Sequence, residues 1–217
     1  MNKQGKEEHP LKHTFLPNPR SCFRMLIFSP SNSGKSNLIK NLITRDEFGF
    51  QRFYKNNIFV LSQTIHLDPI WSDLKLPQTH LYDNWQDRIV ENIMNYSKKQ
   101  ESGVLIILDD MITCDAAINN RKSNLLKKMF FQGRHYNVSL ILVSQKMKEI
   151  PPGMRVNATH IICFNLRNQK EEQDFWDENT YIEGIECKYC QATKEQYNFL
   201  YIDKSASKAY HNFEKEI

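Results

Sequence analysis

The chain has 217 residues, 40% of them hydrophobic and 25% charged, which suits one globular unit able to bury a core without disulfide or metal staples. Its longest apolar runs, such as residues 104–108, fall far short of the roughly 18 residues of a membrane helix, so no membrane span is expected. The first twelve residues contain no apolar stretch of a secretory signal and five scattered cysteines outline no disulfide framework, which points to a reducing, intracellular compartment.

Twenty-nine Lys and Arg against 25 Asp and Glu leave a net charge of +4, too mild alone to mark a nucleic-acid binder. The distribution is more informative. Residues 1–18, with Pro10, Pro17 and many charges, are expected to form a flexible basic N-terminal arm, and residues 19–217 a single domain. Between Arg121 and Arg155, eight basic residues are opposed only by Glu149, a local charge of +7.

The first apolar run predicts a strand over 22–29. It leads into Ser29-Pro30-Ser31-Asn32-Ser33-Gly34-Lys35-Ser36-Asn37, and Leu38, Ile39, Leu42 and Ile43 continue as a helix over about 35–45. Strand, Gly-Lys-Ser turn and helix together are the context of a P-loop, whose backbone N–H groups and helix N-terminus converge on phosphates. Lys35 is then the cation for the β- and γ-phosphates of ATP, and the Ser36 hydroxyl a ligand of Mg²⁺. Ser29 stands where the pattern has its first glycine, so a Cβ crowds the strand exit.

A strand over 57–62 and a helix over 86–100 precede the run Val104-Leu105-Ile106-Ile107-Leu108-Asp109-Asp110. A buried parallel strand delivers carboxylates at its C-terminal end, where α/β sheets bind ligands. Asp109 is expected in the Mg²⁺ shell and Asp110 as the group that polarises the attacking water. A helix over 119–132 follows, its stripe formed by Leu125, Leu126, Met129 and Phe130. Arg134 precedes a strand over 140–145 that ends in Gln145, an amide able to hydrogen-bond the γ-phosphate or the lytic water. A strand over 159–165, a helix over 169–178 and a strand over 197–203 complete the pattern. Four of the strands are apolar on both faces, as in a parallel sheet covered by helices on each side. The expected architecture is a three-layer α/β/α sandwich with a mainly parallel central sheet.

The segments SPSNSGKSNLI, VLIILDDM and GRHYNVSLILVSQ, in that order, resemble the FtsK–HerA superfamily of DNA-pumping ATPases, with a RecA-like P-loop NTPase fold. Within it the chain is most similar to the genome-packaging ATPases of poxviruses, other large DNA viruses, virophages and related mobile elements. The resemblance covers roughly residues 20–203. It implies Lys35 and Ser36 as the Walker A pair, Asp109 and Asp110 as the Walker B pair, Gln145 as the sensor and Arg134 as an arginine finger acting in trans, with Arg155 and Arg167 as alternatives. It also implies a homo-oligomeric ring, commonly a hexamer, that drives double-stranded DNA through its centre without sequence preference. A capsid or portal partner, and a location in the host-cell cytoplasm and the virion, belong to the same picture. The +7 stretch would grip DNA phosphates.

Two other functions fit a P-loop. A small-molecule kinase needs an arginine-rich lid and an acceptor pocket, which the sequence lacks; a non-catalytic nucleotide-dependent assembly protein would tolerate Ser29 and Asp110. A DNA-pumping ATPase of a mobile element or cell is the nearer alternative. Cys187 and Cys190 have the spacing of half a zinc site without a second pair of ligands, and are expected near a turn before the last strand.

Overall fold

A computed structural model describes residues 16–111 and 125–217. The strands are β1 (Arg24–Phe28), β2 (Ile58–Ser62), β3 (Leu81–Tyr82), β4 (Val104–Asp109), β5 (Val138–Ser144), β6 (His160–Phe164), β7 (Phe199–Asp203), β8 (Lys208–His211) and β9 (Lys215–Glu216). Helices are α1 (Lys35–Thr44), α2 (Phe50–Tyr54), α3 (Ile70–Asp73), α4 (Asp87–Ser97), α5 (Leu125–Gln132), α6 (Pro152–Asn157), α7 (Gln169–Glu178) and α8 (Ile185–Ala192). Among the described residues the strands form one sheet in the order β3-β2-β4-β5-β1-β6-β7-β8-β9. Pairing is parallel from β3 through β6 and antiparallel from β6 to β9.

Alternation along the central strands builds two cores. Leu26, Ile106, Leu108, Leu140 and Leu142 face one side, where Val90, Ile93 and Met94 of α4, Leu126 and Met129 of α5 and Phe175 of α7 cover them. Met25, Ile27, Leu105, Ile107, Ile141 and Val143 face the other, under Leu38, Ile39, Leu42 and Ile43 of α1 and Trp71 of α3. Each fully buried side chain of this kind contributes about 1.5–3 kcal/mol. The double-sided burial is the physical content of the three-layer sandwich, and the apolar runs in the sequence follow from it.

Helix α7 spans the expected residues because its start is chemically marked: the Asn168 side chain accepts hydrogen bonds from the backbone N–H of Lys170 and of Glu171, and Glu171 and Glu172 occupy the first turn. The expected helix over 119–132 is described from Leu125, and its first residues lie outside the described ones. Residues 1–15 of the expected arm also lie outside them, while Leu16 and Pro17 are buried, so packing begins within the span assigned to the arm. The last strand of the sequence reading is not the last. The Asp203 carboxylate accepts from the backbone N–H of Ser205 and of Ala206, reversing the chain into the β7–β8 hairpin. Cys187 and Cys190 sit on helix α8, exposed, rather than at a turn. No helix among the described residues is long and apolar enough to cross a membrane.

Candidate nucleotide site

The sheet order puts β5 between the strand that feeds the Gly-Lys-Ser turn and the strand that ends in the two aspartates. Register aligns the chemistry: Ser62 pairs with Asp109, Asp109 with Val143, and Phe28 with Ser144. Four strand ends therefore deliver polar groups to one edge of the sheet, where an open cleft is lined by Ser31, Lys35, Ser36, Asp109, Asp110 and Gln145.

The turn is shaped by left-handed backbone at Asn32, φ 61°, and Gly34, φ 93°. Helix α1 begins at Lys35 with no side-chain cap, so its first N–H groups are left to a ligand. Ser29 fits without a glycine: it is buried, its N–H continues the ladder to the Ser144 carbonyl at 3.2 Å, and its hydroxyl donates to the Pro30 carbonyl at 3.3 Å.

Lys35 Nζ forms an ion pair with Asp110 Oδ2 and stands 4.0 Å from Asp109 Oδ1. Gln145 Nε2 donates to the same Asp110 oxygen at 2.9 Å, and its Oε1 accepts from the Ser31 hydroxyl at 3.0 Å. A hydrogen-bonded chain from Ser31 through Gln145 and Asp110 to Lys35 thus crosses the cleft. Asp110 holds its place in left-handed backbone, φ 51°, a strained conformation for a residue with a Cβ.

Asp109 is 3% exposed. Burial pushes its carboxyl above the usual carboxylate range, against the pull of the Lys35 ammonium. Ser62 donates to Oδ2 at 2.9 Å, while Oδ1 is buried without a hydrogen-bond partner. That orphaned oxygen and the Ser36 hydroxyl in the same cleft are hard donors of the kind Mg²⁺ takes, and among the described residues no group of three or more His, Cys, Asp or Glu is placed to hold a metal ion by itself. A cation that keeps waters and phosphates as its remaining ligands suits such a site.

The loop carrying Thr64 and Asp68 lines the cleft, and Ser62, buried behind it, supports Asp109; none of these was singled out in the sequence. Ser62 closes an apolar strand, as Ser29 and Asp109 do, but its pairing with Asp109 depends on strand register and leaves no mark in the sequence.

The three arginines separate. Arg134 is exposed on a single turn of 3-10 helix, Gly133–Tyr136, at the start of β5. Gln145 follows the other end of that strand, about 23 Å away at ~3.3 Å per residue, so Arg134 lies at the sheet edge opposite its own cleft. Arg155 is tied down. Its Nε and Nη2 donate to Glu178 at 2.8 and 2.6 Å, and Nη1 donates to the carbonyls of Ile150 and Met147. With its side chain only 10% exposed, Arg155 is a clamp between helices and not a candidate finger. Arg167 is exposed at the C-terminal end of β6, beside the P-loop of its own chain.

The +7 stretch is not one surface. Lys146, Lys148 and Arg155 are matched by Glu149, Asp174 and Glu178, whereas Lys128 lies over the Tyr136 ring at 5.1 Å, joined by Lys98 at 4.1 Å. Arg121 and Lys122 fall outside the described residues. Lys98 and Lys128 thus meet at the turn that carries Arg134.

The family described as poxvirus A32 protein matches residues 16–179. Protein 075L of Invertebrate iridescent virus 6 is 25% identical over 197 residues, covering 84% of this chain and 71% of its own length. Protein 015R of Frog virus 3 (isolate Goorha) is 22% identical over 179 residues, and the match covers 75% of this chain and 53% of that protein. Among solved structures, the genome packaging NTPase B204 from Sulfolobus turreted icosahedral virus 2, in complex with ATP-gammaS, has a similar fold. The TM-score is 0.64 at 19% identity, with 89% of this chain and 97% of that chain covered.

Proposed function

The chain belongs to the poxvirus A32 protein family, and from that premise we propose that it is a viral genome-packaging ATPase, coupling ATP hydrolysis to movement of double-stranded DNA into a capsid. The observation that carries the proposal is the convergence of Lys35, Asp109, Asp110 and Gln145 in one cleft beneath an uncapped helix N-terminus. The likeness of the fold to B204, a genome packaging NTPase whose structure is known in complex with ATP-gammaS, supports it.

In this reading the α1 N–H groups and Lys35 bind the β- and γ-phosphates. Ser36 and Asp109 would hold Mg²⁺, which neutralises charge developing on the phosphates. Asp110 accepts the proton of the attacking water and Gln145 orients that water. Because Asp110 is paired with Lys35, a phosphate that takes up the ammonium competes with the carboxylate, and drawing the ammonium away leaves Asp110 able to act as a base. Phosphate recognition and base activation are thereby one event.

In this proposal Arg134, at the far end of β5 from its own cleft, completes the site of a neighbouring copy as a guanidinium supplied across a subunit boundary, and six copies form a ring. The lysines beside the Arg134 turn, Lys98 and Lys128, would grip DNA through phosphates without reading bases. The capsid or portal is the expected docking partner.

Phosphate release measured with and without duplex DNA, at high protein concentration, tests the function. The expected result is DNA-stimulated hydrolysis that Lys35→Ala abolishes. Equal, negligible rates in both proteins would overturn it.

A further inference from the structure

A second cavity opens on the other flank of the P-loop. Strands β4 and β5, which carry the aspartates and Gln145, lie on one side of β1; β6 and β7 lie on the other. Because β7 runs antiparallel to β6, with Phe164 paired to Phe199, the end of β6 and the loop entering β7 meet at the same sheet edge as the phosphate turn. The cavity there is lined by Ser33, Asn165, Arg167, Tyr197 and Asn198, among others.

We propose that this cavity holds the base and ribose of the bound nucleotide, with the Tyr197 ring as the stacking face. The proposal rests on the reading of the neighbouring cleft as a nucleotide site and adds the half of the ligand that the phosphate machinery does not touch. Tyr197 is 60% exposed, yet it packs on the turn: a Cβ placed on Gly34 would lie 3.0 Å from Tyr197 Cδ1. One part of the ring leans on the glycine that opens α1 and the rest is open to a flat partner.

Both loops are held in shapes that free-standing turns avoid. Arg167 has φ 56° and Tyr197 φ 70°, left-handed values for residues with large side chains, and such strain concentrates at ligand clamps. The Asn165 carboxamide oxygen accepts from the Arg167 backbone N–H at 3.1 Å, fixing that turn. A buried polar atom also lacks a partner here: the Ser33 hydroxyl, on a residue only 6% exposed that lines the cavity. A ribose offers hydroxyls to such a group, and a base offers a π face to the tyrosine and to the planar guanidinium of Arg167. A nucleotide lying across the end of β1 places its γ-phosphate toward β4 and β5 and its base toward β6 and β7.

Equilibrium binding of ATP-gammaS and of inorganic tripolyphosphate, in Mg²⁺ buffer and with the full chain, separates the two halves of the site. The wild type is expected to bind ATP-gammaS more tightly than tripolyphosphate. Tyr197→Ala should weaken ATP-gammaS by about ten- to a hundredfold and leave tripolyphosphate unchanged, and Tyr197→Phe should restore the affinity. Equal loss of both ligands in Tyr197→Ala, or loss of neither, overturns the base site while the phosphate site stands. If the wild type binds neither ligand, or Lys35→Ala binds both as well as the wild type does, the nucleotide reading itself fails and the base site falls with it.

Discussion

The ammonium of Lys35 and the carboxylate of Asp110 close on each other across the cleft, pairing the cation proposed to bind phosphate with the acid proposed to act as base. Removing the acid charge should have opposite effects on binding and on chemistry. With Asp110→Asn, Lys35 no longer has to leave a charge-assisted partner, and ATP-gammaS affinity should rise by about tenfold. Turnover should fall by at least about a hundredfold, the scale of a lost general base. Binding isotherms beside steady-state phosphate release test the pair of effects; weaker binding in the variant would show that the ion pair is not a competitor of phosphate.

Arg134 and Arg155 make contrasting predictions. Arg134→Ala should fold normally, bind nucleotide and lose turnover; mixed with Asp110→Asn, it should regain part of the activity at hybrid interfaces. No recovery under conditions where hybrid assemblies form would exclude action in trans. Arg155→Ala should instead be destabilised by about 1–2 kcal/mol, because the carbonyls of Ile150 and Met147 lose their donor in a part-buried setting, while Glu178, its side chain 40% exposed, is taken up by water. Urea unfolding distinguishes the two.

Ser62 supports Asp109 from the adjacent strand. In Ser62→Ala the carboxylate loses a hydrogen bond in a place that water barely reaches, and a cost of about 1–3 kcal/mol in unfolding free energy is expected. An unchanged denaturation midpoint would mean that water replaces the hydroxyl.

His160 predicts a pH dependence at the opposite edge of the sheet. It stacks on Tyr201 with ring centroids 5.9 Å apart, bonds Thr159 Oγ1 at 2.8 Å, and lies 4.0 Å from Asp203 Oδ1. Burial lowers its pKa to about 4, and Asp203 opposes the shift. A histidine depressed in the fold stabilises it fully above about pH 6.5 and loses that contribution as pH falls toward 4. Thermal unfolding should therefore shift downward between pH 6.5 and 4, and His160→Gln should flatten that part of the curve. An identical slope in the variant would assign the acid sensitivity to other groups.

Local chemistry made the phosphate turn and the aspartate strand readable in the chain. Gly34-Lys35-Ser36 follows an apolar run and opens an amphipathic one, and Asp109-Asp110 closes another; both patterns are contiguous. Helix α7 was legible for the same reason, since Asn168 caps it from one residue away. Ser62, Tyr197 and the β8–β9 extension were not. Ser62 matters only because β2 pairs with β4 in a register that sets it opposite Asp109, and Tyr197 only because an antiparallel strand returns its loop to Gly34, 163 positions earlier. The basic run from Arg121 to Arg155 misled in the same way, since Asp174 and Glu178, remote in the chain, neutralise part of it.

Residue order alone determined the class of sheet, the Gly-Lys-Ser turn and the acidic strand end, because strand burial, helix starts and tight turns are decided by neighbours a few positions apart. Which groups share a proton, a charge or a cavity was decided by the tertiary structure. The pairing of Lys35 with Asp110, the bridge of Gln145 to Ser31, the clamp on Arg155 and the seat of Tyr197 over Gly34 all join distant segments. Electrostatic and packing energies depend on separation in space, and strand order sets that separation without leaving a periodic trace in the chain.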